Sequence, residues 1–219
     1  MRLGLFGGSF DPIHYGHLLL AESCREQRGL DRVWFVPACV APHKADRELT
    51  AADHRLAMLE LAVTGHEAFA VGRHEVERGG VSYTVDTLRA LRDEFPEAEL
   101  FLLVGADMLH DLPQWREARA ICEIAVPLAV GRPDMGRPDF DCLAPVASPE
   151  RIALFRRHRV AMPQIELSSS AIRRRVAQGL SIRYQTPRAV EKYIQTHGLY
   201  SGRDLPAQTG ERSQTGLST

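Results

Sequence analysis

Short apolar runs alternate with helix-patterned stretches along most of this chain, and that alternation constrains the fold more than any other feature. The runs lie at residues 3–6, 32–36, 68–72, 100–104, 124–130 and 160–162. Several are rich in β-branched residues, and turn residues often follow them. Between them, residues 14–28 carry Leu18, Leu19 and Ala21 at helical spacing, 51–64 carry Leu56, Leu59 and Val63, and 83–95 carry Val85, Leu88 and Leu91. Strands that are apolar throughout belong in a sheet covered on both faces, and strand–helix alternation makes that sheet parallel. The expected fold is therefore α/β, a Rossmann-like doubly wound parallel sheet with ligands at the carboxyl ends of its strands. The last third reads as more helical, with helices expected at 168–178 and 187–197. This gives one domain over residues 1–200, with a small helical C-terminal part over about 165–200. From residue 201 the composition turns to Gly, Gln, Ser and Thr, so residues 201–219 are expected to form a mobile tail.

Composition narrows the partners. Lys and Arg total 27 against 28 Asp and Glu, a net charge of −1 over 219 residues. Such a chain carries no global field that favours nucleic acid or an anionic membrane. No apolar stretch reaches the roughly 20 residues that span a bilayer, and the opening apolar run is too short for a signal peptide. Cys24, Cys39, Cys122 and Cys142 form no CxxC pair. Reduced thiols in a cytoplasmic protein are expected, with no protein-bound metal. The oligomeric state stays open, a homo-oligomer included.

The first apolar run leads into Gly7-Gly8-Ser9-Phe10-Asp11-Pro12-Ile13-His14-Tyr15-Gly16-His17. Glycines let the backbone turn sharply and approach an anion closely. The spacing matches neither GxxxxGK[ST] nor GxGxxG. His14 and His17 lie three apart at an expected helix start, hence on one face. Alone, such a pair also fits a surface pair or half a metal site. After a strand and a glycine loop, two imidazoles at a helix N-terminus can instead donate to phosphate oxygens as charge builds.

A second cluster, Ser168-Ser169-Ser170-Ala171-Ile172-Arg173, opens a later helix. Serine is a favoured N-cap, and the unpaired amides of a first helical turn attract anions. Arg173 near that end is misplaced for helix stability, and a bound anion would compensate. Arg174 and Arg175 project elsewhere and read as solvated.

Other segments follow expected strands. Pro37 and Pro42 stiffen a loop that carries His43 and Lys44, where a lysine can meet phosphate as a point charge. Gly105-Ala106-Asp107 ends the fourth strand; the glycine permits close approach, and the carboxylate could accept from ribose hydroxyls. Ser82, Tyr83 and Thr84 open a helix, Trp115 follows Leu112-Pro113-Gln114, and Arg132 follows the fifth strand. Each of these also has an ordinary structural reading, as caps, a core tryptophan and a solvated arginine.

GSFDPIHYGH resembles the signature of the nucleotidyltransferases that share an HxGH motif with class I aminoacyl-tRNA synthetases, and most of all that of the bacterial nicotinate-nucleotide adenylyltransferases. LSSSAIR resembles that family's ISSTxIR, with Leu167 for Ile and Ser170 for Thr. PxxxxPHK resembles PxxxPPHK, with Ala41 for a proline. GADMxxxLPxW resembles GADxxxxLxxW, and the segment from Tyr184 to Tyr200 resembles the family's C-terminal pattern.

The resemblance implies transfer of AMP from ATP to nicotinate mononucleotide, giving deamido-NAD and pyrophosphate. It assigns catalysis to His14, His17, Arg173 and Lys44. It assigns ATP binding to Gly8, Ser9, Phe10, Gly105, Asp107, Ser168, Ser169 and Ser170. It implies that Lys44, Ser82, Tyr83, Thr84, Trp115 and Arg132 hold the nicotinate nucleotide, with Trp115 stacked on the pyridine ring. Mg²⁺ is expected to arrive on the ATP phosphates, since the sequence shows no carboxylate cage. With no GxSxG elbow, direct transfer is expected rather than a covalent intermediate. The rivals are nicotinamide mononucleotide as substrate, phosphopantetheine adenylyltransferase (typically shorter, without the GADxxxxLxxW and PHK segments together), and a nucleotide-binding module without turnover. A tRNA synthetase fragment fails on length, on the absent KMSKS-like loop and on the near-zero charge.

Overall fold

The computed structural model describes residues 1–40, 49–131, 138–163 and 165–202. Its strands are β1 (Arg2–Gly8), β2 (Arg32–Pro37), β3 (Phe69–Val71), β4 (Glu99–Gly105), β5 (Ala125–Gly131) and β6 (Val160–Ala161). They form one sheet in the order β3-β2-β1-β4-β5-β6, with every adjacent pair parallel. This is the doubly wound arrangement expected from the alternation. The helices are α1 (Tyr15–Arg28), α2 (Ala52–Val63), α3 (His74–Arg78), α4 (Thr84–Glu94), α5 (Ala106–Asp111), α6 (Ala118–Ile124), α7 (Pro149–Arg157), α8 (Ser169–Ala177) and α9 (Arg188–Thr196). Among the described residues no helix is long and apolar enough to cross a membrane.

The core follows from the strand pattern. Leu5, Phe35, Phe101 and Leu128 are buried in the central strands. Met58 and Leu59 of α2, Leu88 and Leu91 of α4, Ile121 of α6 and Phe155 of α7 join the same cluster. Each such side chain contributes about 1.5–3 kcal/mol on leaving water. Helix α1 stops at Gly29, whose φ of 57° is the left-handed conformation glycine adopts without steric cost.

The expected elements all form, with boundaries shifted by one or two residues. Ile124 is a correction: it is the last residue of α6, and β5 begins at Ala125. Helices α3, α5, α6 and α7 have only five to nine residues, too few for clear periodicity. Helix α7 did carry a local signal: Ser148 caps it, accepting from the Arg151 amide at 3.3 Å, and Pro149 follows.

Two features place the site. The parallel ladder runs to Gly8 opposite Pro37 on one side and to Gly105 opposite Val130 further along. Leu5 pairs with Leu102 across β1 and β4, so these strands end level with each other at Gly8 and Gly105. Connections leave β1 and β4 toward opposite ends of the sheet order, which opens a crevice at this switch point.

Candidate active site

The loop from β1 to α1 is held by its carbonyl oxygens. Arg55 donates to Ser9 O at 3.0 Å, Arg173 to Asp11 O, Ser169 Oγ to Pro12 O at 2.9 Å, and Thr186 Oγ1 to Ile13 O at 2.8 Å. The Tyr15 amide donates to Gln185 O at 3.1 Å. Four of these five partners come from the C-terminal helical part, which therefore clamps the loop. The loop itself is strained: Phe10 sits at φ 45°, a left-handed conformation costing an L-residue about 1–2 kcal/mol. Burial of its ring offsets that cost, with Phe6 and His17 packed edge-on at 5.3 and 5.1 Å.

His14 caps α1, and its ring stacks on that of His17 at 3.7 Å between centroids. The His14 amide donates to His17 Nδ1 at 3.3 Å. Gly16 makes room for this stack, since a Cβ there would lie 3.0 Å from two atoms of the His14 ring. His14 is 5% exposed, and burial lowers its pKa to about 4. Its Nδ1 is buried and has no hydrogen-bond partner. His14 is therefore neutral at pH 7, with one ring nitrogen unpaired.

This burial carries a stability prediction. The unfolded chain titrates His14 near 6.5 and the folded chain near 4, so the unfolded state binds more protons between those values. The contribution is fully present above pH 6.5 and fades as pH falls toward 4. At 1.36 kcal/mol per unit, about 2 kcal/mol is lost by pH 5. Urea unfolding at pH 7 and pH 5 should find this loss in the parent chain and a loss smaller by that amount in His14→Gln. Equal losses would show that His14 does not carry it.

Helix α8 faces the histidines. Ser168 caps it, accepting from the Ala171 amide at 3.2 Å. The amides of Ser169 and Ser170 open its first turn and have no intrahelical acceptor. Arg173, fifth in α8, is buried at 8% exposure. Its guanidinium donates to Asp11 O and to Ser170 Oγ at 2.9 Å, and it stands 3.8 Å from the Asp11 carboxylate. Asp11 Oδ1 accepts from the Tyr200 hydroxyl at 2.6 Å, and Oδ2 from the Thr50 amide at 3.5 Å. Burial, reinforced by the Asp11 carboxylate, pushes the Tyr200 phenol far up, so it stays protonated and donates.

Ser9, His14, Gly16, His17, Ser168, Ser169, Ser170 and Arg173 line one cleft of about 350 Å³, together with the apolar Leu49, Met162, Ile165 and Leu167. Donors dominate its polar wall. Among the described residues, no group of three His, Cys, Asp or Glu side chains is placed to hold a metal ion.

The cytidylyltransferase-like family model matches residues 5–175. A Thermomicrobium roseum protein, named "Probable nicotinate-nucleotide adenylyltransferase", is 48% identical over 200 residues, covering 91% of each chain. A Thermus thermophilus protein of the same name is also 48% identical, over 91% of this chain and all of its own. The chain belongs to the nicotinate-nucleotide adenylyltransferase family. Its fold is shared with the Plasmodium falciparum nicotinic acid mononucleotide adenylyltransferase complexed with NaAD, at a TM-score of 0.70 and 18% identity over 91% of this chain and 97% of that one.

Not every residue marked in this family member's sequence lines the cleft. Gly8 and Gly105 end adjacent strands at the switch point, and a Cβ on Gly105 would meet open space. Ser82 is buried, and its Oγ accepts from the Cys39 amide at 2.9 Å, tying the start of α4 to the segment after β2. Tyr83 caps α4 under the Arg116 guanidinium, 4.5 Å from its ring centroid, and Thr84 is the first helical residue. Trp115, one residue before Arg116, is half-buried against the core, with its Nε1 buried and unpartnered. Ser82, Tyr83, Thr84 and Trp115 are thus not on the wall of that cleft. Lys44, Arg132, the Asp107 side chain and the expected tail beyond residue 202 lie outside the described residues.

Sequence reasoning passed over Arg55, Thr50, Thr186 and Tyr200, all of which brace the loop. Tyr200 ends the segment that resembles the family's C-terminal pattern, but no local signal marks its bond to Asp11. Nothing local distinguished Arg55 from the other arginines on helices.

Proposed function

We propose that residues 1–200 act as one domain that transfers AMP from ATP to nicotinate mononucleotide, forming nicotinate adenine dinucleotide and pyrophosphate. The observation that carries this reading is the single cleft on which His14, His17, the start of α8 and Arg173 converge from opposite ends of the chain. In this reading the triphosphate lies between α1 and α8. The mononucleotide phosphate attacks the α-phosphorus directly, and pyrophosphate leaves. Phosphoryl chemistry of this kind relies on positioning and charge stabilisation. His17 and His14 donate to the phosphate oxygens; the polyanion raises the pKa of the neutral His14 ring and draws its unpaired nitrogen into bonding. The amides and hydroxyls of Ser168–Ser170 and the Arg173 guanidinium hold the β and γ phosphates. Gly8, Ser9, Phe10, Gly105 and Asp107 shape the ATP side, and Lys44 meets charge near the attacking group.

Mg²⁺ is required on the ATP phosphates in this reading. The cleft offers imidazoles, hydroxyls and a guanidinium, and the buried Asp11 carboxylate is already engaged by Tyr200 and Thr50. This donor set suits phosphate oxygens and not a resident divalent ion. The described Cys24, Cys39, Cys122 and Cys142 are all free thiols, and burial raises Cys24 to about 12 and Cys122 to about 11. Unpaired thiols of this kind fit the reducing cytoplasm.

In this reading the nicotinate nucleotide is held by Ser82, Tyr83, Thr84 and Trp115, with Arg132 and Lys44 as further contacts. Trp115 offers a half-buried aromatic face and an unpaired N–H there. Trp115→Ala should raise the KM for the mononucleotide roughly tenfold, the worth of one lost aromatic contact of about 1–1.5 kcal/mol, with the KM for ATP nearly unchanged. A larger effect on ATP would put the pyridine ring elsewhere. The central test is pyrophosphate release from ATP with nicotinate or nicotinamide mononucleotide, with and without Mg²⁺. Release with the nicotinate compound and Mg²⁺ is expected. Silence with both compounds would remove the proposed activity.

A further inference from the structure

Arg55, in the first turn of α2, is the bulkiest wholly buried side chain among the described residues, at 1% exposure. A cation is unfavourable at a helix start, and burying one costs several kcal/mol unless it is well paired. Burial pulls its pKa down, with the Asp11 carboxylate opposing from a distance. Its hydrogen bonds go instead to backbone carbonyls. Nε donates to Thr50 O at 2.8 Å, Nη1 to Ser9 O at 3.0 Å and to Ala38 O at 2.7 Å, and Nη2 to Cys39 O at 3.5 Å.

These acceptors belong to three segments. Ser9 is in the phosphate loop and lines the cleft. Ala38 and Cys39 follow β2, and the Cys39 amide is held by Ser82, next to the segment assigned to the mononucleotide. Thr50 follows residues 41–48, which include Lys44. An apolar side chain of similar volume would fill the site without the desolvation cost. It would leave these segments tied to the β1–α1 region only pairwise, by the Ala38 amide on Gly8 O at 2.9 Å and the Thr50 amide on Asp11 Oδ2 at 3.5 Å, whereas a rigid, planar fork of donors joins all three at one point.

We propose that Arg55 is a positioning residue for adenylyl transfer, fixing the phosphate loop against the loops after β2 so that attacking phosphate and α-phosphorus meet in line. The inference rests on the activity proposed above. Arg55 touches neither substrate. Each loop keeps its own contacts without it, so each substrate still binds, while the reacting atoms lose their alignment. A misplacement of about 1 Å costs on the order of 100-fold in rate.

The test uses Arg55→Lys, which keeps the cation, and Arg55→Met, which keeps the volume. Each is compared with the parent full-length chain for kcat, both KM values, ATP affinity by calorimetry without mononucleotide, and melting temperature. We expect ATP affinity and both KM values within about threefold of the parent and kcat lower by roughly 100-fold, read well below the melting transition. A merely structural arginine would lower the melting temperature and spare kcat. A folded variant with kcat within threefold of the parent overturns the proposal. So does a loss of ATP affinity as large as the loss of kcat, since Arg55 would then serve one loop alone. Failure of both variants to fold overturns it as well, by making Arg55 a folding residue. If the parent releases no pyrophosphate, the activity and the proposal fall together; if parent and variants turn over alike, only the proposal falls.

Discussion

His17→Ala should keep its fold and lose turnover by two to three orders of magnitude. His17 is half-buried in the first turn of α1, on the wall of the cleft. Its described contacts include the His14 amide at 3.3 Å, the His14 ring, the edge of Phe10 and the Phe6 ring at 6.0 Å. Removing them costs about 1 kcal/mol, the worth of one neutral hydrogen bond. Its proposed chemical role is larger. A preorganised donor aimed at a developing oxyanion is worth about 3–4 kcal/mol, and each 1.36 kcal/mol is a factor of about ten in rate. Steady-state pyrophosphate release, with circular dichroism as the check on folding, measures both. Turnover close to the parent's from a folded variant would take His17 out of the mechanism.

Arg173→Met should damage stability and ATP use together. The side chain holds Asp11 O and the neighbourhood of the Asp11 carboxylate, both nearly out of water, and also reaches Oγ of the exposed Ser170. Removing one partner of such a buried set leaves the other uncompensated and costs about 3–5 kcal/mol. The same substitution removes the only guanidinium on the described wall of the cleft, so kcat/KM for ATP should fall at least about 100-fold, as for the loss of a charged phosphate contact. Arg173→Lys keeps the charge and loses the planar fork, so it should be intermediate in both respects. Thermal unfolding and kinetics below the transition separate the two effects. A folded Arg173→Met that uses ATP with unchanged kcat/KM would show that the guanidinium serves the loop alone.

The two predictions differ in how visible their residues were. His14 and His17 are neighbours in sequence, next to a strand and a glycine loop, so their shared face followed from helical spacing. Arg173 could be singled out from its place near a serine-led helix start. Its partner Asp11, 162 positions earlier, could not be named. Trp115 was recognisable only through resemblance, and its packing against the core, off the wall of the cleft, came from the tertiary structure.

Read alone, the chain determined its strands, its longer helices and the parallel sheet, because apolar period, caps and turn residues act over a few neighbours. It also determined the two anion-seeking helix starts. Tertiary structure alone decided which carbonyls of the loop from β1 to α1 are held, and by what. Arg55, Thr186 and Tyr200 resemble ordinary helical or terminal residues until the sheet brings the ends of β1 and β2 and the C-terminal helices to one edge. Burial of a charge depends on acceptors from several distant segments meeting at one point, and no local pattern encodes that meeting.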